Sequence, residues 1–149
     1  MARDEGLVLR LRRHLPAAPP AVFRALTAPR ELARWWGPDG FTIPDVTSDL
    51  RPGGAYRITM RPPDGDVFHL AGEFLDIDPP GLLRYTFRWE EPDPEDRETI
   101  VTLALRASEG ASTELTLTQD GFATERRRAL HEEGWTQSFA KLETLLPPG

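Results

Sequence analysis

The longest stretch with helical periodicity runs from Glu125 to Leu146, at the C-terminal end of the chain. Its apolar and aromatic positions recur at intervals of four, four and three residues and therefore share one helical face: His131, Trp135, Phe139 and Leu142. Charged residues occupy the opposite face, and Pro147–Pro148 ends the pattern. At about 1.5 Å per residue the predicted helix is about 30 Å long, so it needs a broad apolar partner.

Between Phe41 and Asp120 the period changes to two, which is typical of β-strands with one buried face. Clusters of proline, glycine and aspartate divide this region into predicted strands at 41–49, 55–61, 67–78, 83–89, 99–106 and 113–119. Leu7 to Leu15 alternates in the same way and predicts an edge strand before them. The turns between successive strands are short, which indicates antiparallel pairing. Gly72, inside a strand, indicates a bulge or a close approach of another segment.

Two short helices are predicted between the first strand and the others, one starting at Pro19–Pro20 and one covering 29–36. The strands are apolar or aromatic on one face and polar on the other, and such a sheet must cover its apolar face. Only the C-terminal helix is long enough to do so. The pattern therefore predicts an α+β fold of one domain, residues 1–149, in which a sheet of about six or seven antiparallel strands packs on a long C-terminal helix.

The composition is that of an ordinary soluble globular protein: of 149 residues, 39% are hydrophobic and 28% are charged, with a formal net charge of -6. An acidic chain binds polyanions poorly, which argues against nucleic acid and anionic membranes as partners. No apolar run approaches the roughly 18 residues of a membrane span, and the start has no signal-peptide core. We therefore expect a cytoplasmic protein. It has no cysteine, which excludes disulfides and thiolate sites.

Charged clusters mark two surface features. Arg126–Arg128 falls at the start of the long helix, where cations are unfavourable, and we interpret it as a solvated face countered by Glu125, Glu132 and Glu133. The acidic segment Glu90–Asp96, called the acidic loop below, is predicted to be an exposed connection. We expect a monomer or a weak homodimer, because arginines blunt the edge of the first strand: Arg10, Arg12 and Arg13.

Several short motifs follow one another in a specific order along nearly the whole chain. They are Trp35-Trp36-Gly37, PGGAYR at 52–57, MRPPDG at 60–65, Gly72, Pro79-Pro80, Gly121-Phe122, and His131 with Gly134-Trp135. Together they resemble the START-like helix-grip superfamily (SRPBCC), and within it the branch named after the C-terminal domain of the heat-shock chaperone ATPase activator (Aha-type). The resemblance implies a helix-grip fold, in which a curved antiparallel sheet grips the C-terminal helix and leaves an internal cavity between them.

Members of this superfamily bind lipids, sterols, hormones or polyketides, so the resemblance implies a small ligand in that cavity. Aromatic side chains offer a large apolar area, which suits a planar apolar or aromatic ligand. We predict that the ligand is held by residues on the presumed inner faces: Trp35, Tyr56, Ile58, Met60, Tyr85, Phe87, Trp89, His131, Trp135 and Phe139. For any one of them, simple filling of the core is the competing interpretation.

His131 is the predicted polar contact, because it lies one helical turn before Trp135 and titrates near neutral pH. A hydrogen bond to a backbone carbonyl or to water is the alternative role. The sequence HEEGW lacks the second histidine of a zinc-binding HExxH motif, and His14 and His69 fit no metal pattern, so we predict no metal and no cofactor. Gly134 costs about 1 kcal/mol relative to alanine, which indicates a close neighbour, either the short helices or the ligand.

Four charged strand residues have faces that the alternation leaves open. Glu73 and Asp76 are three apart in one strand and are expected on opposite faces. A carboxylate inside the cavity would have a raised pKa and could serve acid–base chemistry. Arg57 and Arg88 are expected outside, and a register shift of one residue would turn them toward a ligand carboxylate.

Two other functions stay open on the sequence alone. A protein-interaction module of co-chaperone type, with a chaperone as partner, predicts a small or filled cavity and would use the short helices and the acidic loop. An enzyme of cyclase or hydrolase type needs two polar residues that converge in the cavity. Glu73 with His131 or Tyr85 is the one combination that the pattern offers, so an enzymatic role is the less favoured hypothesis.

Overall fold

The computed structural model describes residues 7–146, and its elements follow the predicted order. They are β1 (Leu7–Leu15), α1 (Pro19–Thr27), α2 (Pro29–Trp35), β2 (Thr42–Ser48), β3 (Ala55–Arg61), β4 (Phe68–Asp78), β5 (Leu82–Trp89), β6 (Thr99–Ser108), β7 (Ser112–Phe122) and α3 (Glu125–Leu145). The α+β class, the pair of short helices after the first strand and the long C-terminal helix are all confirmed.

All seven strands belong to one antiparallel sheet with the order β1-β7-β6-β5-β4-β3-β2. From β2 to β7 each strand pairs with its successor, as the short turns predicted. The first strand instead pairs with the last along its whole length, from Leu7 opposite Phe122 to Leu15 opposite Thr113. The chain therefore leaves β1 at one edge of the sheet and passes through α1 and α2 before it starts β2 at the other edge.

The apolar face of α3 packs against the sheet and against α2. Its buried residues are Trp135, Ser138, Phe139 and Leu142. The predicted face is therefore confirmed for three of its four residues, with Ser138 in addition, while His131 is half-buried. The helix begins after Thr124, whose hydroxyl accepts a hydrogen bond from the backbone N–H of Arg127 at 3.1 Å. Pro147 and Pro148, predicted to end it, lie outside the described residues. Within residues 7–146, no helix combines the length and apolar character needed to cross a membrane.

A β-bulge in β4 changes which residues face outward. The register of β4 against β5 shifts between Phe74, which pairs with Tyr85, and Asp76, which pairs with Arg84. The extra residue returns Asp76 to the outer face, where its carboxylate lies 3.1 Å from the guanidinium of Arg84. Glu73 is exposed as well. The prediction that Glu73 and Asp76 lie on opposite faces is therefore wrong, because strict alternation does not continue through a bulge.

Gly72 marks a close approach, one of the two roles predicted for it. The Tyr56 side chain crosses over this residue, and its hydroxyl donates to the carbonyl oxygen of Thr86 in β5 at 2.6 Å. A Cβ at position 72 would lie 2.6 Å from the Tyr56 ring carbon Cε2. The missing side chain is thus the space through which an aromatic residue of β3 reaches β5 and ties three strands together.

Candidate functional site

A groove of about 540 Å³ opens on the inner side of the sheet, beside the first half of α3. We call it the α3 groove. Its walls come from the segment after α2, from β3 to β5, from the acidic loop and from α3. The lining residues are Trp36, Gly37, Pro38, Phe41, Met60, Phe68, Phe87, Trp89, Glu91, Asp93, Asp96, Arg127, Leu130, His131, Glu133, Gly134, Trp135, Gln137 and Ser138.

Six of the residues that line the groove are aromatic: Trp36, Phe41, Phe68, Phe87, Trp89 and Trp135. Trp36 meets Trp135 edge to face with ring centroids 5.1 Å apart, and Phe87 meets Trp89 in the same way at 5.1 Å. Phe68 extends the row from Trp89, with centroids 5.4 Å apart. Such tilted and edge-to-face pairs stabilise one another by about 0.5–1.5 kcal/mol each beyond area burial. The aromatic surface is therefore held in place before any ligand arrives.

The polar groups of α3 that border the groove are largely satisfied by the protein. The indole N–H of Trp135 donates to Oε1 of Gln119 at 2.7 Å, and Nε2 of Gln119 donates to the Thr99 hydroxyl at 2.8 Å. The Ser138 hydroxyl donates to the carbonyl oxygen of Gly37 at 3.0 Å. Trp135 consequently presents only its ring to the groove, and Ser138 anchors the wall that follows α2.

Among the polar groups of the groove, the His131 imidazole has the most hydrogen-bonding capacity left for a ligand. Its imidazole packs among Phe122, Phe87 and Trp89, with ring centroids 4.9, 5.4 and 5.8 Å away. Its ring nitrogens form no hydrogen bond with the residues between 7 and 146, so the predicted alternative of a backbone carbonyl partner is not observed there. Burial, and next the charge of Arg127, lower the pKa of His131 to about 4. The neutral imidazole retains one donor and one acceptor for a ligand.

Most of the charged side chains that line the α3 groove lie at its rim, the outer border of the groove. Arg127 of α3 pairs with Asp96, and its other terminal nitrogen lies 3.6 Å from Asp93. This corrects the interpretation of Arg126–Arg128 as a uniformly solvated face, because the Arg127 guanidinium holds the acidic loop against α3. Arg128 does pair with Glu125 and Glu132, at 2.8 Å each, as expected from their spacing.

The family model for the Activator of Hsp90 ATPase homolog 1-like protein matches residues 16–147. The chain belongs to this family. Among solved structures, it is similar to a protein from Chromobacterium violaceum, with 30% identity, a TM-score of 0.86, and 95% of this chain and 98% of that chain covered. A Nitrosomonas europaea protein shows 31% identity, a TM-score of 0.79 and 94% coverage of both chains.

A third similar structure carries the family name itself. The AHSA1 protein from Silicibacter pomeroyi shares 29% identity with this chain at a TM-score of 0.78, with 93% of this chain and 96% of that chain covered. None of the curated proteins compared with the chain matches it. The predicted resemblance to the Aha-type branch and the helix-grip fold are thus confirmed.

The structure divides the ten predicted ligand-binding residues into three places. Five line the α3 groove: Met60, Phe87, Trp89, His131 and Trp135. Tyr56, Ile58 and Tyr85 surround a separate void of only about 30 Å³. Trp35 and Phe139 are 1% exposed and pack against each other in the core, where the Trp35 indole N–H donates to the Ala25 carbonyl oxygen at 2.9 Å. Trp36 borders both the groove and the void, so it separates the two.

The remaining charged candidates lie away from the groove. Arg57 makes two hydrogen bonds of 2.8 Å to Glu90 on the outside of the sheet, and Arg88 is exposed. Glu90 also lies near His69 and Glu91, and these three offer ligand atoms within 4.8 Å of one another. Because the Glu90 carboxylate is already held by the Arg57 guanidinium, this cluster is better explained as an ion-pair network than as a metal site.

Sequence reasoning missed the residues that shape the rim. Phe41, Phe68 and Leu130 line the groove, and Leu130 is 51% exposed. Phe68 could have been found, because it lies two residues before buried Leu70 in the same strand. The members from the acidic loop, Glu91, Asp93 and Asp96, could not, since no local pattern shows that this loop folds back onto α3.

The lowered pKa of His131 predicts a pH-dependent stability. The unfolded chain binds a proton near pH 6.5 and the folded protein only near pH 4, so the free energy of unfolding should fall as the pH drops through this interval. The slope has an upper limit of about 1.4 kcal/mol per pH unit, reduced by partial exposure of the ring to solvent. Urea denaturation at a series of pH values measures it.

Two variants isolate this contribution from that of the carboxylates. His131→Phe keeps an aromatic ring in place and should remove this part of the pH dependence. His14→Phe replaces an exposed histidine of β1 and should leave the profile unchanged. Identical pH profiles for both variants would show that His131 is not buried in its neutral form.

Proposed function

We propose that this protein binds a small, mainly apolar or aromatic molecule in the α3 groove. The observation that carries the proposal is an open groove of about 540 Å³ lined by six aromatic side chains that hold one another in place. This volume lies within the range of about 300–1,000 Å³ that is typical of small-molecule sites. Membership of a family that resembles the ligand-binding START-like proteins supports the same function.

The mainly apolar lining of the groove determines the ligand affinity that we expect. Burial of about 300 Å² of apolar ligand surface contributes roughly 7 kcal/mol at about 25 cal/mol/Å². Association and ordering cost several kcal/mol, which leaves a dissociation constant in the micromolar range or weaker. Specificity must then come from few polar contacts, of which the neutral imidazole of His131 is the best placed. A function in carrying or sensing an abundant metabolite fits this range.

The two alternative functions have less support. The co-chaperone hypothesis, which the family name suggests, predicted a small or filled cavity, and a groove of this size disfavours it. The enzyme hypothesis required Glu73 with His131 or Tyr85. Glu73 is exposed on the outer face, and Tyr85 is buried around the small void, so neither joins His131 in the groove. Burial also raises the pKa of Tyr85, which keeps its hydroxyl protonated.

A variant that fills the groove tests the proposal without weakening the fold. Gly134 lines the groove in the middle of α3, and among the described residues a Cβ there would meet only Pro38, at an ordinary 3.7 Å. The close packing against the short helices that was one explanation of this glycine is therefore not observed. Gly134→Leu should therefore occupy ligand space while the helix gains up to about 1 kcal/mol from the loss of glycine. We expect the affinity for a neutral aromatic probe, naphthylmethanol, to fall about tenfold or more in isothermal titration calorimetry, because ring contacts are lost.

Gly134→Ala is the matched control. It gives the helix most of the same stabilisation but adds a single methyl group, so naphthylmethanol affinity should change about twofold at most. Denaturation of both variants verifies that the fold is retained. Equal affinity in the wild type and in Gly134→Leu would place the binding site outside the α3 groove.

A further inference from the structure

The charges on the rim of the α3 groove are strongly unequal. Within the part of the chain that the structure describes, four carboxylates line it, from Glu91, Asp93, Asp96 and Glu133, against one guanidinium, that of Arg127. Asp93 and Glu133 are exposed, and within residues 7–146 Glu133 forms no ion pair. Carboxylates at the mouth of a cleft with low-dielectric walls produce a negative potential that reaches into it. The groove therefore favours positive charge over negative charge.

Arg127 offsets part of this potential beside His131, whose pKa its charge lowers, but at the rim its guanidinium is held by carboxylates. Its side chain is 15% exposed, one terminal nitrogen is bonded to Asp96, and the other lies 3.6 Å from Asp93. Its charge is thus compensated within the rim by two carboxylates. A ligand carboxylate that approached the guanidinium would lie beside the carboxylates of Asp93 and Asp96.

Among residues 7–146, the interior of the groove has no positively charged side chain, and its aromatic lining can attract cations. His131 is neutral at neutral pH, since burial lowers its pKa to about 4. Three tryptophans, Trp36, Trp89 and Trp135, line the groove. Indole faces carry the negative part of the ring quadrupole and attract ammonium groups. Aromatic walls under an acidic rim are the chemical environment of an organic cation.

We propose that the ligand of the α3 groove is an organic cation, in which an aromatic or apolar body carries a protonated amine or a quaternary ammonium. The apolar body would lie against the row of aromatic rings, and the cationic group would lie at the rim near Asp93 and Glu133. This inference rests on the proposed function, and it adds the charge of the ligand to it.

Three probes with one ring system separate charge from shape: naphthylmethylamine, naphthylmethanol and naphthoate. Calorimetry at neutral pH and low ionic strength should show the amine binding roughly fivefold to tenfold more tightly than the alcohol, with naphthoate weakest, because several carboxylates act on the charge across a few ångströms. Added salt should reduce this preference, since screening reaches about 10 Å at 0.1 M.

A pair of double variants locates the preference. Asp93→Asn with Glu133→Gln removes the two exposed rim charges and should bring the amine and alcohol affinities to within about twofold of each other. Glu109→Gln with Glu143→Gln removes two exposed charges elsewhere and should retain the preference. Neither pair disturbs the contact between Arg127 and Asp96.

The outcomes distinguish this inference from the proposed function. A preference for the amine that the rim variant loses and the control variant keeps supports the inference. Equal binding of amine and alcohol, or tighter binding of naphthoate, overturns it and leaves the groove as a binding site for neutral or anionic aromatic ligands. Failure of all three probes to bind at millimolar concentration counts against the proposed function itself.

Discussion

Replacement of Gly72 by alanine is expected to destabilise the protein by about 3 kcal/mol or more, which is large for the addition of one methyl group. The new Cβ would overlap the backbone carbonyl oxygen of Thr86 and lie 2.6 Å from Cε2 of Tyr56. The Tyr56 ring cannot move aside cheaply, because its hydroxyl donates to that same carbonyl oxygen at 2.6 Å. The overlap can therefore be removed only if β4 and β5 move apart.

Chemical denaturation followed by tryptophan fluorescence measures this loss of stability. Two further variants serve as comparisons. Gly81→Ala adds a methyl group before β5 where the nearest atom is the Leu105 carbonyl oxygen at 3.7 Å, so it should change stability by at most about 0.5 kcal/mol. Tyr56→Phe keeps the ring but removes the hydrogen bond and should cost about 1–3 kcal/mol. A Gly72→Ala variant as stable as Gly81→Ala would show that the strands at this position are not in contact as described.

Replacement of Asp96 by asparagine should cost about 2–3 kcal/mol of stability and should also weaken binding in the α3 groove. The Asp96 side chain is 8% exposed and that of Arg127 15%, so loss of the carboxylate leaves a largely buried guanidinium without its main partner. The pair joins the acidic loop to α3 and so forms one wall of the groove. When the loop is released, the aromatic surface loses part of its enclosure.

Asp93→Asn is the control, since Asp93 contacts the same guanidinium but is 72% exposed. Its loss should cost at most about 0.5 kcal/mol. A double-mutant cycle of Asp96→Asn with Arg127→Met should show a coupling energy of about 1 kcal/mol or more, because the double variant leaves no buried charge unpaired. Equal losses for Asp96→Asn and Asp93→Asn would mean that the pair is as solvated as an ordinary surface ion pair.

The periodic elements of the fold could be predicted from the sequence because their residues carry local signals. The stripe of Trp135, Phe139 and Leu142 defines α3, and the alternation in β5 defines an inner face. The pairing of β1 with β7 joins segments about a hundred residues apart, and no local pattern encodes it. The bulge between Phe74 and Asp76 likewise depends on the neighbouring strand, so the outward position of Asp76 could not be derived.

The candidate site was predictable to the extent that the inner face was. Alternation identifies Tyr56, Tyr85, Phe87 and Trp89 as inward-facing residues, but it does not tell which part of the inner face is filled. That depends on Trp36, which borders both the small void and the groove and leaves open space only on one side. The rim was beyond prediction because it depends on the long-range contact of Arg127 with the acidic loop.

The chain contains four tryptophans, and their indole N–H signals test the central claim most directly. Trp36, Trp89 and Trp135 line the α3 groove. The Trp35 indole does not line it: this ring is buried, and its N–H donates to the carbonyl oxygen of Ala25. In a titration with naphthylmethanol followed by nitrogen–proton correlation NMR, the account predicts that the first three signals shift and saturate together while that of Trp35 stays in place. A titration that shifts the Trp35 signal alone, or none of the four, would contradict a binding site in the α3 groove.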